Sequence, residues 1–521
     1  MRILFAFMLA TALQGHATGQ DGFNLRERYR FLACVLTSVH PTDSCYYATG
    51  IIADTLYPYN TGAIFLKLGL DGQPLLVKTV KNTAKTYEPW FNDLLPLPDG
   101  GFMVDGVSID SVEKTLLMRF TADGDTVFTK EQLHPAYPAA SFIQPRGGFV
   151  RLPGGGFVVA NWVEKGSNYD YDILLTGTDS MGSPVWNRTY ATPMVDIPTS
   201  VLLTPEGKVI VGGLRHNVNT NAEDFVFRTD IFQVDSLGNK EWEYLSPLGA
   251  GLRDAANGML LLDDGSLVVA SGIGHELVQS SLNGIQFDRH VFKLGPQHQL
   301  EWELTFPDSA LTDWSKTTNL VGLSDGSGYV LAGVAYNSQP PPKYFTAWGW
   351  LAKVSPDGDS IWTRRYAFLD GGRGEHEIYD LKETKDGGLI LCGKAFDWKE
   401  GATFPQQAWL LKVDGHGCLV PGCHLEDAAG EVPGPTGAGI SIYPNPATDY
   451  LNLYLGARAA PGGSSVRIID AAGHVRREFA VGGQGQTYIV PVWDWPGGTY
   501  WVQLASGGRA ISTGTFIKSD K

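Results

Sequence analysis

"VDSLGNKEW", Val234 to Trp242, is one of several near-copies of a phrase in a chain of 521 residues. "TDSMGSPVW" ends at Trp186 and "VSPDGDSIW" at Trp362. With the turn glycine as a landmark, the phrase falls at Gly72, Gly124, Gly182, Gly238, Gly358 and Gly417, with His298 in the fifth place. Intervals of 52 to 60 residues separate these positions. Four residues beyond each of the first six stands a large apolar side chain: Leu76, Phe128, Trp186, Trp242, Trp302 and Trp362.

A second phrase precedes each landmark but the first, as in "LPDGGFMVDG", "TPEGKVIVGG" and "TKDGGLILCG". Its glycines allow the positive φ of a tight hairpin turn, and the apolar run after them is a short buried strand. "CYYATG", Cys45 to Gly50, is the first copy, its turn replaced by a longer loop. Each unit therefore reads as four antiparallel strands, and no stretch has capped helical periodicity. A sheet with two apolar faces must stack on its copies, and about seven of them around an axis form a β-propeller. An open solenoid would need shorter coils. The last unit, "AWLLKVDGHGCLVPGC", lacks a fourth strand. Closure either borrows residues near "GFNLRER" or ends at a Cys418–Cys423 cap.

The 63 glycines and 11% aromatics suit many short strands and turns. Net charge is −15, concentrated in the body, so nucleic acid and anionic membrane surfaces are poor partners. The start, "MRILFAFMLATALQGHATGQ", has one basic residue, a short apolar run and small residues at Ala17 and Gly19. Residues 1–19 thus read as a secretory signal, with no later apolar stretch long enough to span a bilayer. Among five cysteines, Cys34 is expected to pair with Cys45 and Cys418 with Cys423, each bridge contributing about 2–3 kcal/mol. Cys392 is left as a buried hydrophobe.

Residues 20–424 make the propeller, and 425–439, rich in Gly, Pro and Ala, a linker. Residues 440–521 alternate as a small β-sandwich. Here "YPNPATDYLNL", "VRIIDAAGHV", "PGGTYWVQLASGG" and the terminal "FIK" occur in order. They resemble the C-terminal sorting domain of type IX secretion cargo (type A class), through Tyr443, Pro444, Asn445, Pro446, Gly473, Gly497, Gly498 and Tyr500. The resemblance implies an Ig-like address read by an outer-membrane machine and usually cleaved. It also implies a Gram-negative cell, passage through the periplasm, and release or attachment at the cell surface. The body resembles bacterial propeller repeat regions joined to such domains, which brings no activity with it.

Loops entering the innermost strands carry Trp90, Asp196, Arg253, Asp254, Asp313, Trp314, His376 and Glu377. If they converge, aromatic faces and carboxylates suit a sugar or peptide; the alternative is that they cap turns and seal the stack. No ordered carboxylate pair fixes a glycosidase geometry, and the register differs from a sialidase Asp-box. The Gly–Trp spacing also occurs in quinoproteins, but hairpin geometry explains it. A basic ring, Lys67, Arg119, Lys293, Lys353 and Lys412, reads as stems laid on the strand with charges in water. "NYDYD" and "NTNAED" lack calcium-loop spacing, and no zinc, P-loop or nucleophile-elbow motif occurs. The expectation is a secreted binding or scaffolding propeller without cofactor, the alternative a carbohydrate- or peptide-active enzyme.

Overall fold

The structure is a computed structural model. It describes residues 22–519 except 56–60, 90–93, 134–143, 165–170, 218–225, 248–251, 276–285, 307–315, 339–344, 370–373, 398–405, 420–422, 424–439, 444–445, 448–449, 456–463, 482–485 and 507–508. The described residues contain only β elements, in antiparallel sheets. The linker and the signal-like start lie outside the described residues.

Seven sheets of the body each follow the repeat. The third blade runs Gln144–Arg151, Phe157–Glu164, Tyr171–Thr178 and Pro184–Tyr190. Next come Val195–Leu203, Val209–His216, Phe227–Val234 and Lys240–Leu245 as the fourth. In the second and fifth blades the innermost strand is split, into Thr86–Pro89 with Leu95–Pro96 and Leu252–Arg253 with Gly258–Leu261.

Closure is settled by the N-terminal strand. Phe23–Glu27 pairs antiparallel with Gln406–Val413 and becomes the fourth strand of the last blade, with Phe23 opposite Lys412. That register sets Phe23 where Trp362 stands opposite Lys353 one blade earlier. The Cys418–Cys423 disulfide forms as well, so the two routes to closure coexist.

The outer hairpins then explain the landmark. A Cβ built on Gly238 would lie 2.9 Å from the Trp186 ring, and one on Gly358 2.7 Å from Trp302. Leu76 meets Gly124, Phe128 meets Gly182, and Trp362 meets Gly417 in the same way. At the fifth landmark His298 stacks on Trp242, with ring centroids 3.8 Å apart. Phe23 meets Gly72 and completes the circle. The large apolar side chain of each blade is seated on the turn of the next, which is why the turn tolerates little beyond glycine.

The core is correspondingly divided into layers between blades rather than one mass. Cys34, Leu36 and Tyr46 pack with Ile390 and Leu410 where the last blade meets the first. Val158 and Leu175 pack with Val211 and Phe232 between the third and fourth. Burial of such side chains stabilises by about 1.5–3 kcal/mol each.

Toward the axis, several innermost strands carry a bulge followed by a polar residue. Ser38, Ser200, Asn319 and Asp380 follow register shifts at equivalent places. Asp380 accepts from Ser38 Oγ (3.1 Å), the Val39 amide (2.9 Å) and Asn319 Nδ2 (2.7 Å), while the Leu94 amide donates to Ser38 Oγ (3.0 Å). Four successive blades are thus tied together by side chains that only a bulge could aim sideways.

Cys34 and Cys45 do not pair; both are free and buried. Cys34 lies opposite Ile52 at one end of the first hairpin, while Cys45 follows the turn joined by the Pro41–Tyr46 pair. Seven strand residues at about 3.3 Å each separate those ends, far beyond disulfide reach.

The basic ring is paired rather than left in water. Arg119 bonds Asp99, Lys353 Nζ donates to Ser327 Oγ (2.8 Å), and fully buried Lys412 lies 3.0 Å from Asp386. Each ties the third strand to the hairpin turn of its own blade.

Candidate functional site

One cavity, of about 250 Å³, lies between the third and fourth blades. Its floor is Ile173, Asp196, Asp230 and Phe232, all buried; exposed Thr189, Ala191 and Lys240 form the mouth. Tyr190 and Thr192, at the crossing from one blade to the next, and Arg215 complete the wall.

Arg215 organises the charges. Its Nε donates to Asp196 Oδ1 (2.8 Å), and its Nη2 donates to Asp230 Oδ2 (2.7 Å) and Glu243 Oε1 (2.9 Å). The second oxygen of Asp196 accepts from the Thr192 hydroxyl (2.6 Å) and amide (3.2 Å). Asp230 is different. Its Oδ1 is buried and has no hydrogen-bond partner among the described residues. Burial pushes its carboxyl up to about 6, against the pull of the Arg215 guanidinium. Lys240 Nζ pairs with Glu243 (2.9 Å) and lies 4.4 Å from the Phe232 ring centroid.

The fifth blade holds a related group. Arg253 Nη1 donates to Glu303 Oε2 (2.9 Å), which also lies 3.2 Å from His290 Nε2. Burial and Arg253 lower the His290 imidazole to about 4, so it is neutral near pH 7.

Of the loop residues singled out from the sequence, Asp196 belongs to the cavity and Arg253 to the His290 group. Asp254 uses its backbone carbonyl to accept from Thr229 Oγ1 (2.6 Å) and Ser271 Oγ (3.0 Å). His376 accepts the Leu369 amide at Nε2 (3.0 Å), faces the Ala347 carbonyl with Nδ1 (3.0 Å) and lies edge-on to Trp409. These partners fix a neutral ring, and burial lowers it to about 4. Glu377 pairs with Lys394 (3.1 Å). Trp90, Asp313 and Trp314 lie outside the described residues, as do "NTNAED" and most of "NYDYD". The described five enter separate arrangements; no single cluster gathers them. Asp230 escaped sequence reasoning, although a signal existed: it stands eight residues before its landmark, where five of seven units carry an apolar residue.

Among the described residues, no three His, Cys, Asp or Glu side chains are placed to share a metal ion, and no helix is long and apolar enough to cross a membrane.

The C-terminal segment forms two sheets over one core. Leu451, Leu453 and Val490 of the three-stranded sheet pack with Val466, Ile468, Val502 and Phe516 of the four-stranded one. Ala447, just after Pro446, donates its amide to the Ile517 carbonyl (2.7 Å), and the Ser519 amide donates to the Ala447 carbonyl (2.9 Å). The proline motif and the terminal "FIK" are thus bonded to each other across the domain. Asp470 Oδ1 accepts the Ala472 and His474 amides in a turn completed by Gly473 at φ +83°. Tyr500 stacks on Phe516 and donates its hydroxyl to the Pro496 carbonyl (2.8 Å), closing the turn through Gly497 and Gly498. Tyr443 pairs through its backbone with Asn452, whereas Pro444 and Asn445 lie outside the described residues.

Residues 441–518 match the secretion system C-terminal sorting domain. This sorting domain marks the chain for type IX export, to the cell surface or beyond, and makes that machinery a partner. No functionally curated protein is similar enough in sequence to count as a relative. Solved structures similar to the chain include the β-propeller domain of a trilobed protease from Pyrococcus furiosus. It is 8% identical, covers 74% of this chain and 96% of its own, and has a TM-score of 0.38. A puromycin hydrolase is 12% identical over 82% of this chain and 59% of its own (TM-score 0.42). A protein of unknown function from Dyadobacter fermentans is 12% identical over 64% and 97% (TM-score 0.41). None carries an activity over to this chain.

Proposed function

We propose that the chain is a type IX cargo whose propeller binds a ligand outside the cell without turning it over. The observation that carries this is the cavity between the third and fourth blades. Its carboxylates and cations are engaged with one another in a fixed frame around one uncommitted oxygen, an arrangement suited to holding a ligand. The two aspartates share Arg215, which leaves neither as an unrestrained nucleophile or base.

In this reading residues 1–19 direct passage to the periplasm, and 440–521 are removed within the 425–439 linker after crossing the outer membrane. The sequence adds Trp90, Asp313 and Trp314 as proposed ligand contacts of the propeller loops.

Expression in a type IX-competent host tests both halves. The intact chain should reach the cell surface or medium, and a chain lacking 441–518 should stay in the periplasm. The exported protein should retain ligands on glycan or peptide arrays with no product released; steady product formation would make it an enzyme instead.

A further inference from the structure

Eight residues before each landmark, the third strand of a blade sends a side chain into the cleft shared with the preceding blade. Trp350 does so against Phe306, edge-on at 5.1 Å, and Trp409 packs among Leu351 and Tyr366 of the sixth blade. Ile64, Leu116 and Leu174 occupy the same place in the first three units. In the fourth it is Asp230. Tyr190 stands where Phe306 stands, four residues beyond its tryptophan, so the opposing wall is conventional for this repeat. The volume that an indole fills elsewhere is the cavity.

We infer that this cleft is a binding pocket for one neutral, hydroxyl-rich ring: a monosaccharide, free or at the end of a glycan. The inference rests on the reading of the propeller as a binding module and adds the place and the class of ligand. No donor among the described residues reaches the buried Asp230 Oδ1, and a buried acceptor left without a donor is destabilising, so this oxygen is open to an O–H or N–H of a ligand.

Charge selects among donors. An anion would meet Asp196, Asp230 and Glu243. A cation would meet Arg215 and Lys240, whose ammonium already covers the Phe232 ring. A hydroxyl avoids both penalties, because it donates to Asp230 and accepts from Lys240 or the wall threonines. Tyr190 and Ile173 offer an apolar surface for the carbon face of a sugar ring. The volume lies below the range of larger ligand sites, which restricts the occupant to a single ring.

The test is calorimetric titration of the full exported chain with neutral monosaccharides, glycans ending in each, one amino sugar and one uronic acid. At least one neutral sugar should bind best, and Asp230→Leu should weaken it at least tenfold. Leucine already fills this place in two blades, so the variant should fold; circular dichroism and a thermal melt check that, and Asp230→Asn provides a second variant. A response to the free sugar identifies that source, and a response only to glycans identifies a chain terminus. Preference for the charged sugars, absence of sugar binding, or neutral-sugar binding indifferent to Asp230→Leu would each overturn the inference. In the last case the propeller would remain a binding module and only this site would fall.

Discussion

The cleft between the sixth and seventh blades and the cleft between the third and fourth share a backbone and differ in one kind of side chain. In the former, Trp409 fills the space and donates its indole N–H to Asn24 on the closing strand (2.6 Å). In the latter, Asp230 leaves the space open and one oxygen without a hydrogen-bond partner among the described residues. The repeat therefore fixes where a side chain projects, while its identity decides between cement and pocket. The same column holds His290 in the fifth blade, within the Arg253–Glu303 group. Polar side chains at this place are thus confined to two neighbouring blades, while Ile64, Leu116, Leu174, Trp350 and Trp409 keep it apolar in the others.

The comparison is broken most severely by emptying the filled cleft. Trp409→Ala should cost about 3–5 kcal/mol in urea unfolding, through lost burial and the cavity left behind. It also takes the indole donor from Asn24 Oδ1, leaving the Asn24 amide bonded to the Ala367 carbonyl, and loosens the N-terminal closing strand. A cost below about 1 kcal/mol would show that the closing seam is not held by packing.

Filling the open cleft should act in the opposite direction. Asp230 is held up to about 6 in the folded chain, above the ordinary 3.8. The folded state thus takes up a proton more readily than the unfolded one, and its stability falls as pH rises from about 4 through 6. Asp230→Leu removes that loss. Its gain should be small at pH 4 and reach on the order of 2–3 kcal/mol above pH 6.5, without ligand. His290 and His376, lowered by burial, weaken the fold as pH drops from 6.5 toward 4, but both are present in wild type and variant and cancel in the difference. A pH-independent difference in unfolding free energy would mean that the Arg215 pairing offsets burial and the folded chain does not raise the Asp230 carboxyl.

A third effect concerns the end of the ring. Reduction of Cys418–Cys423 should cost about 2 kcal/mol, the loop-closure value for so short a segment. The strand Phe23–Glu27 closes the same blade independently, so the reduced protein should stay folded at room temperature. Unfolding on reduction alone would transfer the role of closure from the strand to the disulfide.

Much of this was legible in the sequence, because a landmark recurring at near-constant intervals needs no knowledge of pairing. The sorting domain was legible for a related reason: its motifs come in order, and the structure bonds the first to the last. What stayed hidden depends on register. Cys34 and Cys45 looked like the two sides of one loop, yet they lie at opposite ends of a hairpin. The bulges that aim Ser38, Asn319 and Asp380 sideways add one residue to a strand and leave no mark on hydrophobic alternation. Asp230 could be read only by comparing one column across all units, since within its own strand, "FRTDIFQV", it looks like a solvent-facing residue.

The smallest effect comes from the one landmark that is not glycine. His298 holds φ at +63°, a left-handed conformation that a side chain adopts at a cost of about 1 kcal/mol or more. In return its ring stacks on Trp242, an interaction worth about 0.5–1.5 kcal/mol. His298→Gly relieves the first and loses the second, so stability should change by less than about 0.5 kcal/mol. His298→Ala keeps the strained backbone and loses the stack, and should be about 1 kcal/mol less stable than wild type. At Gly238, by contrast, even alanine meets Trp186 and Arg188 at 2.9 and 2.6 Å. A histidine there could not reach the stacked arrangement without moving the tryptophan that lines the seam. If His298→Gly and His298→Ala proved equally stable, the stack would be the only energetic feature of that turn, and glycine at the other landmarks would owe its place to the neighbouring ring alone.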